Sequence, residues 1–325
     1  MKTQKFKRVS AAISVMTASE IAEIVQVVSQ REGQVEGELI VQQKAATITH
    51  CPRCGCEAMK WGNNKSIPRF KCKNPELNPE GLKVCGKTFN ALTGTPLANL
   101  HYADKHIGNA ACMVEGLTVR KTAEKLGINK DTALRWRYQF LKTIKDVQPK
   151  SLTGLVEADE TYFIESFKGQ RKPFHRKSKK RGTPAIKPGL SKEQIPVIVA
   201  RDRATGQTFS SVIASRSAVD IGAKLLPHLS KDAELISDGA STYRIIAQSH
   251  GITFRTVPKK PNHKTMGTLH INNVNAYDKR LKEWMDRFHG VATKNLDIYL
   301  GWHRWLDVTK KWKQTARTFL STAIS

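Results

Sequence analysis

This sequence is short of acid. Its 325 residues carry 28 Asp and Glu against 54 Lys and Arg, a net charge of 54 − 28 = +26. A field of that sign favours a polyanion, either nucleic acid or an anionic membrane. Long apolar runs are missing too. The longest aliphatic stretch, "IPVIVA" at 195–200, falls far short of the roughly 20 residues that cross a bilayer. No strongly basic amphipathic helix with a broad apolar face stands out, so nucleic acid is the expected partner and no membrane is. The opening "MKTQKFKRVSAAISVM" lacks a sustained apolar core and does not read as a signal peptide. Beyond residue 85 the only cysteine is Cys112, read as a small core residue in a helix. The other five, Cys51, Cys54, Cys56, Cys72 and Cys85, fall within 35 residues. In a chain expected in the cytoplasm, such clustering argues for a metal rather than for disulfides. The 39% hydrophobic content is that of a globular protein.

Near the N-terminus, "TASEIAEIVQVVSQR" (17–31) predicts a helix. Thr17 and Glu20 form a capping box ahead of an Ile21–Ile24–Val25–Val28 stripe. Next, "CPRCG" makes a tight turn that aims two thiols at one point, and "CGKTF" at Cys85 resembles a second such turn. Cys51, Cys54, Cys72 and Cys85 would close a tetrahedral structural Zn²⁺ site. The twelve residues between Cys72 and Cys85 are more than a ribbon usually holds, and Cys56 competes with Cys72 as third ligand. In "LTVRKTAEKLGINKDTALRWRYQFL" (117–141) a helix starts at Thr118 and ends at Gly127. Asn129 or Asp131 then caps a second helix bearing Arg135, Trp136 and Arg137. A helix-turn-helix with Arg135 and Arg137 towards DNA is the expectation.

From residue 151 strand patterns begin. "LTGLVEADETYF" alternates with period two, placing Glu157 and Asp159 on one face and Glu160 on the other. The segments that follow predict the order β-β-β-α-β-α-β-α, a mixed sheet with helices on its faces. Asp238 ends the fourth strand, before Gly239. If first and fourth strands are neighbours, Asp159 and Asp238 converge, as a two-metal phosphodiester site requires. Glu157 reads as structural. Residues 166–192 hold ten Lys and Arg and no acid, Lys177, Lys179, Lys180 and Arg181 among them. Such a segment loops out of the core and suits phosphate contact. Trp302, Trp305 and Trp312 lie at helical spacing and read mainly as core.

"VEADETYF", "SDGASTY", "HINNVN" and "RLKEWMDRFHGVATKNL" resemble the catalytic domain of bacterial insertion-sequence transposases. "CPRCG", "VCGKTFNALTGTPLA" and "TVRKTAEKLGI" resemble the front of the same family. The resemblance spans roughly residues 48–307. It implies a zinc ribbon and a small helical DNA-binding region ahead of an RNase H-like α/β catalytic domain of DDE type. Divisions are expected at 1–47 (helical), 48–92 (ribbon), 93–150 (helix-turn-helix-like) and 151–325 (catalytic). The resemblance further implies Mg²⁺ or Mn²⁺ at the catalytic site, cleavage and joining of double-stranded DNA at transposon ends, and a homodimer or larger assembly on DNA. A cytoplasmic, nucleoid-associated protein is expected. In one subgroup Asn replaces the third acid, with a Lys further on, and these positions correspond to Asn275 and Lys282. Two other readings stand beside it: an inactive or repurposed transposase that only binds DNA, and a nuclease or resolvase on the same fold.

A helix over 272–289 would carry Val274, Tyr277, Leu281, Trp284 and Phe288 as its apolar stripe, with Gly290 just past its end. Asn275, Asp278 and Lys282 then share the edge bordering that stripe. Asn275 is the expected neutral metal ligand, and Asp278 competes with it.

Overall fold

The computed structural model describes residues 2–64, 67–74, 85–98, 102, 105–170, 191, 193–239, 241–257, 269–312 and 316–324. The chain divides into two compact units, Met1–Arg137 with Gln314–Ser325, and Tyr138–Lys313.

The first unit opens with helices α1 (Lys2–Ile13) and α2 (Ala18–Ala46). The capping box forms as the sequence predicts: Thr17 N–H donates to the Glu20 carboxylate at 2.8 Å, and Glu20 N–H to Thr17 Oγ1 at 3.4 Å. The helix then runs well past the predicted end at Arg31. Two internal glycines weaken its local preference, but α2 packs on α3 (His106–Val114) and on the last helix, α10 (Ala316–Ile324). Only the last turns are buried, at Ile40 and Ala45, while Ile21, Val25 and Val28 of the predicted stripe stay exposed. Phe319, Leu320, Ala323 and Ile324 of α10 are buried, and the Lys44 ammonium donates to the Ile324 carbonyl. The tail expected within the sheet domain therefore belongs to the N-terminal unit.

Between α2 and α3 lies an antiparallel sheet of β1 (Ala58–Asn64), β2 (Ile67–Cys72) and β3 (Thr88–Asn90). Phe70 and Phe89 stack at 5.8 Å in its small core, beside the cysteines. Helices α4 (Val119–Leu126) and α5 (Lys130–Ile144) follow. Thr118 Oγ1 accepts from Lys121 N–H, and Gly127 takes the left-handed conformation (φ 57°) that ends α4. Asn129 Oδ1 accepts from Asp131 N–H at 2.8 Å, so the cap of α5 is Asn129. The division between units falls inside α5, after Arg137, rather than at 150 as the sequence pattern suggests. Beyond that point α5 and its end join the second unit, where Asn295 donates to the Tyr138 hydroxyl and Arg304 to the Lys145 carbonyl.

The second unit is built on β4 (Leu155–Ile164), β5 (Gln194–Asp202), β6 (Thr208–Val212), β7 (Glu234–Ser237) and β8 (Thr253–Thr256). Helices α6 (Ala218–Leu225), α7 (Ser241–His250), α8 (Asn272–Asp286) and α9 (Leu296–Trp312) complete it in the predicted order. The sheet order is β6-β5-β4-β7-β8. The first three strands are antiparallel, and β7 and β8 run parallel to β4 and to each other. This is the RNase H-like arrangement, a mixed sheet with helices on its faces. Alternation along β4 sorts its side chains: Val156 and Ala158 join a core with Ile221, Leu225, Tyr243 and Ile246 of α6 and α7. Glu157 and Asp159 lie on the other face.

Glu157 is fully buried there, and its carboxylate is saturated. It accepts from the backbone N–H of Asn273 (2.8 Å) and Val274 (3.0 Å), from the Asn273 side-chain amide (2.8 Å) and from Arg203 Nε (2.9 Å). A carboxylate on the first N–H groups of a helix satisfies donors that the helix cannot. This one pins the start of α8 to β4. A second buried centre ties α8 to β5 and α9: Asp307 accepts from Arg201 (2.8 Å) and Arg280 (3.1 Å). Although burial opposes it, these two guanidinium groups hold the Asp307 carboxyl below the usual carboxylate range. Trp302 and Trp305 are buried, with Trp284 meeting Trp302 edge-on at 4.9 Å, in keeping with a core role. The side chain of Trp312 lies outside the described residues. Helix α8 ends at Asp286, short of the predicted His289. The N–H groups of Phe288 and His289 turn back to the Met285 and Asp286 carbonyls, and His289 itself takes a positive φ of 51°.

Replacing Glu157 strands Arg203 and the α8 amides together. Glu157→Ala is expected to cost about 3–5 kcal/mol in urea unfolding, with Glu157→Gln costing less because its carbonyl still accepts. A loss under 1 kcal/mol for Glu157→Ala would show that α8 is held elsewhere.

Candidate active site

The parallel ladder between β4 and β7 pairs Leu155 with Glu234, Val156 with Leu235 and Glu157 with Ile236. Each pair is offset by 79 (236 − 157), and the same offset carried two residues further brings Asp159 level with Asp238 (159 + 79). Adjacent strands lie about 4.8 Å apart. Asp159, in the middle of β4, and Asp238, just past β7, are therefore neighbours. Asp159 Oδ1 accepts from Glu160 N–H at 2.8 Å. Burial pushes the Asp159 carboxyl up to about 6, and Asp238 and Glu160 add to the rise, while the Glu160 N–H and Lys282 oppose it. Asp238 stands just beyond β7, where the chain must turn at once. Gly239 makes that turn with φ +90°, and a Cβ there would sit 2.6 Å from Thr256 Cγ2. Only glycine fits both constraints. Glu160 faces the other way and pairs with Arg216 at 3.4 Å.

Helix α8 supplies the opposite wall. Asn275 and Lys282 are exposed on its edge. Asp278, one turn from each, is 7% exposed, and its Oδ1 has no hydrogen-bond partner among the described residues. Burial pushes its carboxyl up to about 7, with the Asp159 charge adding and the Lys282 charge opposing. The helix edge expected from the sequence is split: its acid points in, its amide and ammonium point out. Asp278 borders Tyr277 in the apolar stripe, and that adjacency is the sequence signal for its burial.

These groups fit a divalent cation. Asp159 is desolvated beside a second carboxyl, and Asp278 has an orphaned buried oxygen, so a hard cation would relieve both. Asp159 and Asp238 could hold it, with Asn275, Asp278 or both completing the oxygen set.

In the first unit, the Sγ atoms of Cys51, Cys54, Cys72 and Cys85 all lie within 4.8 Å of one another. The closest pairs are Cys54–Cys72 at 3.4 Å and Cys51–Cys85 at 3.7 Å. The Lys87 N–H draws the Cys85 thiol down to about 6. Asn74 N–H reaches Cys72 Sγ at 3.4 Å. Cys56 is turned away and takes the Asn74 side-chain amide at 3.3 Å, so the cluster is built with Cys72. The set fits a zinc ribbon, with ligands from two turns and from β2. Cys112 is fully buried, as a core residue should be.

The two arginines of α5 part company. Arg135 is exposed, whereas Arg137 is 2% exposed and donates to the Leu117 carbonyl. Arg137 braces the turn into α4 and is not available to DNA, contrary to the sequence expectation. The helix is buried over a wide arc that includes Trp136, Phe140 and Leu141, and Arg137 falls inside it. Lys177, Lys179, Lys180 and Arg181 lie outside the described residues. No helix among the described residues is long and apolar enough to cross a membrane.

Residues 151–305 match the ISXO2-like transposase domain. No curated relative matches the chain. Among solved structures, the chain is similar to the catalytic core domain of BIV integrase, at 15% identity over 46% of this chain and 81% of that one, TM-score 0.26. It is similar to a simian T-cell lymphotropic virus intasome in complex with PP2A regulatory subunit B56 gamma (12%, 60% and 66%, TM-score 0.30). A third is a pre-cleavage Mos1 transpososome (12%, 63% and 77%, TM-score 0.24).

Asp159 and Asp278 are both harder to ionise folded than unfolded. Their neutral forms stabilise the metal-free fold at low pH, and that contribution is lost as pH rises through about 6 to 7. Asp278→Asn removes one such charge. It is expected to raise the metal-free melting temperature at pH 8 by a few degrees, at ~2–4 °C per kcal/mol for a domain of this size. The gain should shrink towards pH 5. An unchanged melting temperature at pH 8 would count against a desolvated Asp278.

Proposed function

We propose that this protein is the transposase of an insertion sequence, binding the terminal inverted repeats of its own element and cutting and joining DNA there. The observation that supports the reading is the β4–β7 ladder, whose offset, carried two residues past its last pair, sets Asp159 opposite Asp238 in a segment that matches the ISXO2-like transposase domain. Asp159 and Asp238 would hold Mg²⁺ or Mn²⁺, with Asn275 as a neutral oxygen ligand at the exposed lip. When bound, such ions activate a water or a 3′-hydroxyl and stabilise the leaving oxygen. The chain's own part is positional. The ladder fixes one carboxyl against the other, Gly239 lets the chain leave before it crowds them, and Lys282 offers its ammonium to a phosphate oxygen. The net charge of +26 draws the duplex in, and binding should weaken steeply with salt. Arg135 on α5 and the basic segment with Lys177, Lys179, Lys180 and Arg181 are the proposed phosphate contacts. Zn²⁺ on Cys51, Cys54, Cys72 and Cys85 would hold the ribbon. We further propose a homodimer or larger assembly on DNA, and residence in the bacterial cytoplasm at the nucleoid.

A DNA-binding protein without catalysis is the competing reading, and Asn275 in the place of an acid is what favours it. A nuclease on the same fold would cut without joining.

Two measurements test this. In strand transfer of an end-containing duplex with Mg²⁺ or Mn²⁺, Asp159→Asn and Asp238→Asn should each lose on the order of 10³-fold or more, since each removes a charge that the metal needs. Full activity in Asp238→Asn would refute the site, and cutting without joining would favour the nuclease. For the ribbon, elemental analysis should find one zinc per chain. Cys85→Ser should lose it and Cys56→Ser keep it; the reverse pattern would overturn the ligand set.

A further inference from the structure

The geometry points to the outer face of the ribbon sheet as a binding surface for an unpaired strand of DNA, with Trp61 as its stacking platform. Tryptophan is highly buried on average. Trp136 and Trp302 are fully buried in this chain, and Trp284 and Trp305 are nearly so. Trp61 is 48% exposed, and Met59, also on β1, is 38% exposed. The register of the sheet says what shares their face. Met59 pairs with Lys71, and Lys71 with Thr88. Phe70, one residue from Lys71, points the opposite way and stacks on Phe89 in the core beside the cysteines. Arg69 returns to the outer face, where it donates to Thr88 Oγ1 at 3.3 Å. The Lys71 ammonium lies 4.3 Å from the centroid of the Trp61 ring, so Trp61 is on that face too.

Charge selects the occupant. The three strands hold the cations Lys60, Arg69 and Lys71 and no acid. Two copies of this face would set cation against cation, which opposes pairing with a second chain. A strand of DNA meets both halves of the surface. Its phosphates take the cations, and its bases take the ring. Lys71 sits over one face of the indole, and a base would lie on the other. Within a duplex each base is stacked between its neighbours and offers no open π-face. A flat sheet that presents an aromatic therefore suits unpaired bases, whose faces are free. Such binding needs no catalysis, so it holds equally for a transposase and for a DNA-binding protein that does not cut.

Fluorescence anisotropy of a labelled oligothymidine and of a duplex of equal length, each with the full chain, tests this. Trp61→Ala is expected to weaken the single strand roughly 5- to 150-fold, the range for losing one stacked base. The duplex should keep its wild-type affinity, and Trp61→Phe should retain most of the single-strand binding. Trp61→Ala should leave the salt dependence unchanged, because a ring releases no counterion. Lys71→Gln should instead flatten it by a slope of about 0.7. Equal losses for strand and duplex would show a plain backbone contact and overturn the inference. Wild-type affinity of Trp61→Ala for both would overturn it too. So would a DNA-free dimer that Trp61→Ala turns into a monomer, since a second copy would then cover the face. The unaltered chain gives a check that no folding defect can confuse. A strand carrying iodouracil should photo-cross-link to the peptide that contains Trp61, and cross-links confined to other peptides would refute the platform. Each of these outcomes leaves the strand-transfer test of the proposed function untouched.

Discussion

The buried carboxylate of Glu157 sets the geometry of the second unit. It stands on β4, yet its hydrogen bonds run to the first turn of α8 and to Arg203, just past the end of β5. One side chain thus fixes three pieces of chain separated by up to 117 residues. It is costly to bury a charge, and the cost is met only because every donor around it would otherwise be unsatisfied as well. The consequence reaches past Glu157. A helix fixed at its first turn has its rotation fixed, and rotation decides which of Asn275, Asp278 and Lys282 faces the strand.

The contrast between Glu157 and Asp159 follows from the period of two. Glu157 and Asp159 share a face, so the one that is neutralised by donors and the one that is not sit side by side. The contrast in surroundings, and not any difference in residue type, separates them. Glu160 on the other face has Arg216. Asp159 is left with one backbone N–H and the company of other acids, the condition in which a carboxyl is hard to ionise and ready to accept a cation.

Much of this was legible in the sequence, and the failures have physical causes. Local devices read well: Thr17 with Glu20, Thr118, and Gly127 at the end of α4 act within one turn, so their signal is contained in a few residues. The strand order from 151 onward read well because period-two patterns and turn residues are also local. Long-range allocation did not. Nothing in "ARTFLSTAI" says that it packs on α2 and α3 instead of on the sheet, because an apolar stripe specifies burial and not a partner. Arg137 misled because an arginine beside a tryptophan on a second helix looks like a reading head. Its guanidinium is instead taken by the Leu117 carbonyl, while Arg135 two residues earlier stays exposed. Asp278 was visible only as the neighbour of a stripe. A helix whose buried arc is slightly wider than the stripe takes that neighbour inside.

The ladder between β4 and β7 also bears on how this fold tolerates change. The chain between the two strands includes β5, β6 and α6, none of which enters the β4–β7 pairing. Lengthening a connection costs little, about 0.6 kcal/mol for each doubling of a flexible loop. Residues can be gained or lost there while Asp159 and Asp238 stay level, because their alignment is held by backbone hydrogen bonds between neighbouring strands and not by the distance along the chain. Such an arrangement makes the alignment of the two strands independent of the length of chain that connects them.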